Sequence, residues 1–546
     1  MQPPTLLFSL IQLAAISLLC VAQSPPVIDL GYAKYRGVFD PSISNNTQFL
    51  GVRFAAPPTG SLRWQEPQAP DFVEGIQNAT SEPDKCMQAG TGAGATNPFP
   101  ANKRAPPVAE SEDCLFLNVY IPGQLDSQTS SKNLPVVVWI HGGGYVAGGA
   151  DGFSGPDAYD GNDLVLESGN RVVAVVIQYR LGLFGFLAGE SVKVNGVLNA
   201  GLLDQQFALQ WVQEHITKFG GDPSRVTIWG ESAGAGSVLQ QVIANGGQTS
   251  PPLFRGAITS SSFLPSQYAY NDVVPEFLYN TVVSRTNCTS AADSLTCLRN
   301  ADAGALEEIN VDLCISGFFG TYVFVPVVDG DFIRQRPTVA LGEGKVNGEV
   351  VMSVTNSNEG LIFVDLSTAN TVQVPDYLTQ LFPTLSAQQR AVAVAKYASL
   401  GTPIEQVTAI MGESIFVCPT YFLLRAFKGK AFKGQFAIPP GTHGSDVAYY
   451  FPSMNANGVP AYNNTDFDKA FAESFLAFVL SLDPNETFEP TITPTWEPFS
   501  FQPGHEVEMR FNETESGAPA VMPITTAPDL LDRCSFWESV GPEIGQ

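Results

Sequence analysis

Basic residues are scarce in this chain. Its 546 residues include 28 Lys and Arg against 53 Asp and Glu, a formal net charge of −25. So acidic a surface repels phosphate backbones and anionic headgroups, which sets aside nucleic acid and anionic membranes as partners and suits neutral substrates. Histidine is scarcer still, with four residues in all. No CxxC or Cys/His cluster has the spacing of a zinc site, so neither a metal nor another cofactor is expected. No internal repeat is visible, and no Pro/Ser/Gly linker splits the chain into halves. Beyond the first residues, no apolar run approaches the ~20 needed to cross a bilayer. One large mature domain, 23–546, is the expectation.

Apolar residues are plentiful: 44% of the chain is hydrophobic and Phe alone numbers 36, enough for a large buried core. The N-terminus, MQPPTLLFSLIQLAAISLLCVAQSPP, holds an uncharged apolar run from Leu6 to Val21 that ends in Cys20-Val21-Ala22, small at the positions a signal peptidase inspects. Residues 1–22 read as a secretory signal, although a basic start is missing, and the mature chain reads as soluble and extracellular. Six Asn-x-Ser/Thr acceptors fit that compartment: Asn45, Asn78, Asn287, Asn463, Asn485 and Asn512. Of eight cysteines, Cys20 leaves with the signal. Cys86 with Cys114 and Cys288 with Cys297 form two close pairs, the first worth about 3 kcal/mol if bonded. Cys314, Cys418 and Cys534 remain, so at least one thiol is free or pairs with another chain.

The runs VVVWI (136–140), RVVAVVIQY (171–179), RVTIW (225–229), FRGAIT (254–259) and EVVMSVT (349–355) are continuously apolar, as strands buried on both faces are. Helical stretches lie between them, LLDQQFALQWVQEHITKFG (202–220) and AGAGSVLQQVIANGG (233–247), each ending on Gly-Gly. This alternation gives an α/β class with a large, mostly parallel sheet covered by helices on both faces. The less helical N-terminal ~130 residues are expected to add an antiparallel edge.

RVTIWGESAGAGS (225–237) runs from a strand through Gly230-Glu231-Ser232-Ala233-Gly234 straight into a helix. A glycine-framed serine in that setting is a nucleophile elbow; on the pentapeptide alone Ser232 reads equally well as a helix cap. A serine nucleophile needs a base. His215 lies in the 202–220 helix, on a face that reads as partly exposed, and has a structural reading. His141 opens HGGG, and His505 sits in a polar stretch. His443, in the loop PPGTHGSDVAYYF, is the favoured base by elimination, with His505 behind it. The acid that orients it should fall between the two at a strand end. Glu359 in VVMSVTNSNEG is favoured, and Asp329 in PVVDGD is the second candidate. After the strand 136–140, Gly143 and Gly144 offer unobstructed amides that, with that of Ala233, suit a developing oxyanion.

These segments, together with FLGVRFAAPPTGSLRW (49–64), SEDCLFLNVYIP (111–122), NAGLLDQQFALQWVQEHITKFGGDPSRVTIWGESAGAGS (199–237), FVPVVDGDF (324–332) and HGSDVAYYF, resemble the type-B carboxylesterase family of α/β-hydrolases. That family includes fungal lipases, cholinesterases and non-enzymatic neuroligins. The resemblance implies a secreted serine carboxylic-ester hydrolase that forms an acyl-enzyme on neutral esters. It implies Ser232, Glu359 and His443 as the triad and Gly143, Gly144 and Ala233 as oxyanion donors. It implies disulfides Cys86–Cys114 and Cys288–Cys297, and a buried salt bridge between Arg180 and Asp204. The chain departs from cholinesterases in having no Trp within 87–113, where those enzymes hold a quaternary ammonium. That loop also lacks the apolar helical face of a lipase lid. Gly320, Thr321 and Tyr322 stand where relatives set acyl-pocket size, and Gly320 and Tyr322 suit a bulky acyl group such as feruloyl. A feruloyl esterase and a lipase or sterol esterase are the neighbouring readings. An idle binding protein on the same scaffold is the rival from another class, and the intact serine argues against it.

Overall fold

The computed structural model describes residues 25–39, 41, 44–94, 110–125, 129–152, 158–455 and 460–546. The expected signal segment, and residues 95–109 of the loop after Cys86, lie outside these.

Eleven strands make one sheet. Its spatial order is Pro519–Thr525, Val507–Glu513, Ala431–Phe436, Val350–Asn356, Gly256–Ser260, Gly221–Glu231, Leu134–Ile140, Val173–Ile177, Phe116–Pro122, Asn46–Arg53, Val38–Phe39. From Val173–Ile177 across to Val507–Glu513 every neighbouring pair is parallel. Phe116–Pro122, Asn46–Arg53 and Val38–Phe39 form the expected antiparallel N-terminal edge. At the opposite edge the hairpin Val507–Thr525 adds an antiparallel strand that the sequence pattern did not announce.

Two apolar clusters cover the two faces. Val136, Val138 and Ile140 point into one cluster, while Val137 and Trp139 point into the other. The period-two alternation of a strand therefore puts both faces in protein, which is why these runs are apolar throughout. Helices Ala200–His215 and Ala233–Ile243 pack on the first face. Helix Thr465–Ser481 covers the second through Phe467, Phe471, Phe475 and Phe478 at helical spacing. His215, expected to be partly exposed, is instead buried against Trp211 of its own helix and Tyr32, which lies in the turn between the short strands Val27–Asp29 and Lys34–Arg36 of a separate three-stranded sheet.

Residues Pro403–Ala426 form one continuous helix of 24 residues, long and apolar enough to cross a membrane, where the sequence reading found no such run. Most of it is buried in the protein as a core element. Within it the backbone widens at Glu413–Val417, where the Cys418 amide donates to Glu413 O five residues back. Pro419 is the cause, since it has no N–H to offer the preceding turn.

Among the described residues three disulfides are formed: Cys86–Cys114, Cys288–Cys297 and Cys418–Cys534. The third resolves the odd count, leaving Cys314 free and buried, its thiol pushed up by burial. Arg180 and Asp204 form a buried pair, with Nε to Oδ2 and Nη2 to Oδ1 both at 2.7 Å. Replacing Asp204 with Ala leaves a guanidinium buried without its carboxylate, at a cost of about 3–5 kcal/mol. A clear fall in the thermal midpoint is the expected reading.

Candidate active site

Ser232 sits between the strand Gly221–Glu231 and the helix Ala233–Ile243 with φ 57° and ψ −124°. A non-glycine residue there costs about 1–3 kcal/mol, so the surroundings must hold it. Its N–H donates to Ser260 O at 2.9 Å and its carbonyl accepts from Gly236 N–H at 2.8 Å. The framing glycines have a steric cause. A Cβ on Gly230 would lie 2.4 Å from the Gly234 carbonyl carbon, and one on Gly234 would lie 2.0 Å from Ile140 O. Elbow and strand backbones meet with no room for a methyl group.

The same contact brings in the glycine loop after Ile140. A Cβ on Gly142 would come within 2.9 Å of Ser232 Cβ, so the loop lies directly beside the serine. Gly143 and Gly144 follow with φ of 97° and 62°, and Ala233 opens the helix, where first-turn amides have no helical acceptor. The Tyr322 ring covers Gly144, with Cε1 1.8 Å from where a Cβ would stand. Gly320 is equally confined, since a Cβ there would lie 2.1 Å from Phe363 O.

Glu359 and His443 are joined directly. His443 Nδ1 lies 2.6 Å from Glu359 Oε2. The other oxygen, Oε1, accepts from Ser261 Oγ and from the Asn356 amide, both at 2.7 Å. The carboxylate is thus fixed on three sides at the end of the strand Val350–Asn356, as the sequence pattern anticipates. His443 packs against Phe416 and Phe363, at centroid distances of 4.4 and 5.0 Å. Its Nε2 has no hydrogen-bond partner and faces Glu231 Oε1 at 3.2 Å. In this conformation no hydrogen bond reaches Nε2 from Ser232, but the residue it faces is the serine's immediate neighbour.

Glu231 escaped the sequence reading. It is 4% exposed, and Asp446, fully buried three residues beyond His443, was missed with it. Asp446 accepts from Asn356 Nδ2 at 2.9 Å and from the Tyr450 hydroxyl at 3.1 Å. The usable signal was position: an acid one residue before the serine, at the end of a strand buried on both faces, has nowhere to go but the site. Burial pushes Glu231 up to about 8, opposed by His443 and reinforced by Asp446 and Glu359. Burial pulls the His443 imidazole down, but Glu231, Glu359 and Asp446 together hold it above its ordinary 6.5.

The remaining candidates lie elsewhere. His141 is buried, stacked on Tyr179 at 4.5 Å, and burial pulls it down to about 4. His505 is in an exposed turn. Asp329 accepts from Asn199 Nδ2 and from the amides of Asp331 and Ile333, which makes it a turn residue. Beyond Tyr322 and Phe416 opens an apolar cavity of about 530 Å³, lined also by Phe263, Phe318, Leu381 and Ile415. Among the described residues no group of acidic, His or Cys side chains is arranged to hold a metal ion.

Residues 24–522 match the carboxylesterase family. The chain belongs to that family. It is similar to the carboxylesterase patB of Penicillium expansum, 29% identical with 95% of this chain and 97% of that protein covered. It is also similar to secreted lipase 1 of Botryotinia fuckeliana, at 32% identity over 80% of this chain and 81% of that one. The crystal structure of Aspergillus niger EstA superposes with a TM-score of 0.81, at 30% identity, covering 96% of this chain and 99% of the other. The fold is thus that of an α/β-hydrolase esterase.

Were His443 to act as a base it would have to be neutral to accept a proton, and its raised imidazole would reach that form only above 6.5. The acid limb of kcat/KM for a simple ester is expected above pH 6.5. Glu231→Gln removes a carboxylate facing Nε2 and should move that limb to lower pH, as a pH–rate profile would register.

Proposed function

We propose that Ser232, His443 and Glu359 carry out the carboxylic ester hydrolysis to which family membership assigns this protein. The observation that carries the reading is the Glu359–His443 contact of 2.6 Å on an imidazole whose other nitrogen faces the residue next to Ser232. The reading requires a rotation of the ring or of the serine rotamer to bring Nε2 to Oγ, as catalytic hydrogen bonds often tighten only with substrate bound. His443 then takes the hydroxyl proton while Oγ attacks the ester carbonyl. The amides of Gly143, Gly144 and Ala233 receive the negative oxygen, and each such donor is worth ~10²–10³ in rate. The imidazolium, stabilised by Glu359, protonates the leaving alcohol. Water, deprotonated by the same nitrogen, releases the acid and restores Ser232.

The apolar cavity behind Tyr322 and Phe416 favours esters with a bulky aromatic or aliphatic acyl part, within the 300–1,000 Å³ usual for small-molecule sites. The signal-like N-terminus, three disulfides and the similarity to a secreted lipase support an extracellular location. Asn45, Asn78, Asn287 and Asn463 are exposed and suited to carry glycans. Asn485 is less suited, its Nδ2 donating to Asp483 Oδ1 and Trp496 O, and Asn512 is half-buried in a strand.

Ser232→Ala should abolish turnover of 4-nitrophenyl butyrate while the protein stays folded by circular dichroism, and a fluorophosphonate should add its mass to a peptide containing Ser232. Substantial residual turnover, or labelling at another residue, overturns the reading. Relative rates on short-chain, long-chain and hydroxycinnamoyl esters assign the acyl class.

A further inference from the structure

Pro419 leaves a debt of hydrogen bonds in the helix beneath the site. In a regular helix Ser414 O would accept from Cys418 N–H, but that amide is taken by Glu413 O. One residue further on, Pro419 has no N–H at all. Ser414 O and Ile415 O are therefore both without a helical donor, in a segment where both residues are buried. Unpaired buried carbonyls are rare, and each costs about 1–3 kcal/mol. Two donors arrive from elsewhere in the chain. The Leu264 amide donates to Ile415 O at 2.9 Å. Gln546 Nε2 donates to Ser414 O at 2.9 Å and to Leu264 O at 2.6 Å.

Gln546 is fully buried, and its main-chain oxygen accepts from Arg336 Nη1 and Thr338 Oγ1, each at 2.7 Å, while its side-chain Oε1 has no partner. Its carboxamide therefore ties two segments into one unit: the widened turn Glu413–Val417 and the loop following Ser261. Both face the site. Phe416, two residues from Ser414, lies 4.4 Å from the His443 ring. Phe263, beside Leu264, stacks on Phe416 at 5.4 Å. At the other end of the turn, a Cβ on Gly412 would lie 2.7 Å from the Gly360 amide and 3.3 Å from Glu359 Cβ, so the helix also presses on the turn that carries the acid.

We propose that Gln546 is a positioning residue for the acid–base pair: its carboxamide supplies the donor that Pro419 withholds, fixing the widened turn that sets Phe416 against His443 and Gly412 against Glu359. The inference rests on the triad reading above. It concerns a side chain that touches neither the serine nor the substrate and is distant from the motifs in sequence.

The test is Gln546→Met, which keeps length and volume but removes the donor, assayed with 4-nitrophenyl acetate, a substrate too small to need the apolar cavity. The expected result is a loss of roughly tenfold in kcat with KM within twofold of the parent, since misplacement of a catalytic group by about an ångström is enough for such a loss. Phe416→Leu and the double variant complete a cycle. If Gln546 acts through Phe416, the double variant loses no more kcat than Phe416→Leu alone. Should the Met variant not fold, Gln546→Glu, which replaces only the amide nitrogen, carries the same expectation. Parent-like kcat with only a lower thermal midpoint, or losses that add in the double variant, overturns the proposal. An inactive parent protein would instead sink the triad reading, so the two failures are distinguishable.

Discussion

The close approach of three backbones at the elbow is the constraint on which the site depends. Strand Leu134–Ile140, the end of strand Gly221–Glu231 and the first turn of helix Ala233–Ile243 meet so tightly that a Cβ at Gly230 or Gly234 would overlap main-chain atoms. That contact forces the serine into a left-handed turn, and holds it there because no relaxed alternative fits between the neighbours. It also brings the glycine loop after Ile140 alongside, so amides that can receive negative charge come with the serine. The turned serine and the glycine-loop amides beside it are thus consequences of one packing solution.

Charge is the second organising element. Three carboxyl groups surround one imidazole in a largely buried region, where charges are costly unless compensated. Glu359 is compensated by a hydroxyl, an amide and the imidazole. Glu231 lacks such donors, so burial raises it and the His443 ring it faces is its one favourable partner. The two acids nearest His443 therefore sit in different settings, Glu359 held by donors on one side of the ring and Glu231 facing Nε2 on the other. The same carboxyl chemistry thus meets two different environments.

How far the sequence revealed this depended on how local each cause was. The parallel sheet was legible because Val136–Ile140 and Val173–Ile177 are apolar at every position, which only two-sided burial explains. Ser232 was legible because glycine spacing, strand and helix fall within thirteen residues. Glu359 and His443 could be ranked only by strand ends and chain order, since nothing local distinguishes PPGTHGSD from an ordinary turn. Glu231 and Asp446 went unremarked because their significance is their distance to an imidazole. The exposed face assigned to His215 was wrong for a related reason: Tyr32, from the turn of a separate N-terminal sheet, covers it, and no helical pattern encodes that neighbour. Cys418 and Cys534 stand 116 residues apart and declare no pairing until helices Pro403–Ala426 and Pro528–Ser539 are seen side by side.

Pro419 shows what such long-range closure accomplishes. A proline inside a buried helix would ordinarily be a liability of about 3 kcal/mol. Here the turn it widens is gripped by groups from the far end of the sequence. Arg533 pairs with Glu413, Cys534 bonds to Cys418, and Gln546 reaches Ser414. Each grip falls on the helix between the residue that presses on Glu359 and the proline itself. A regular helix would satisfy its own carbonyls and need no donor from Gln546, but it would also carry Phe416 past the imidazole at a different angle. The irregularity fixes where the ring can sit, and the three distant contacts keep it irregular.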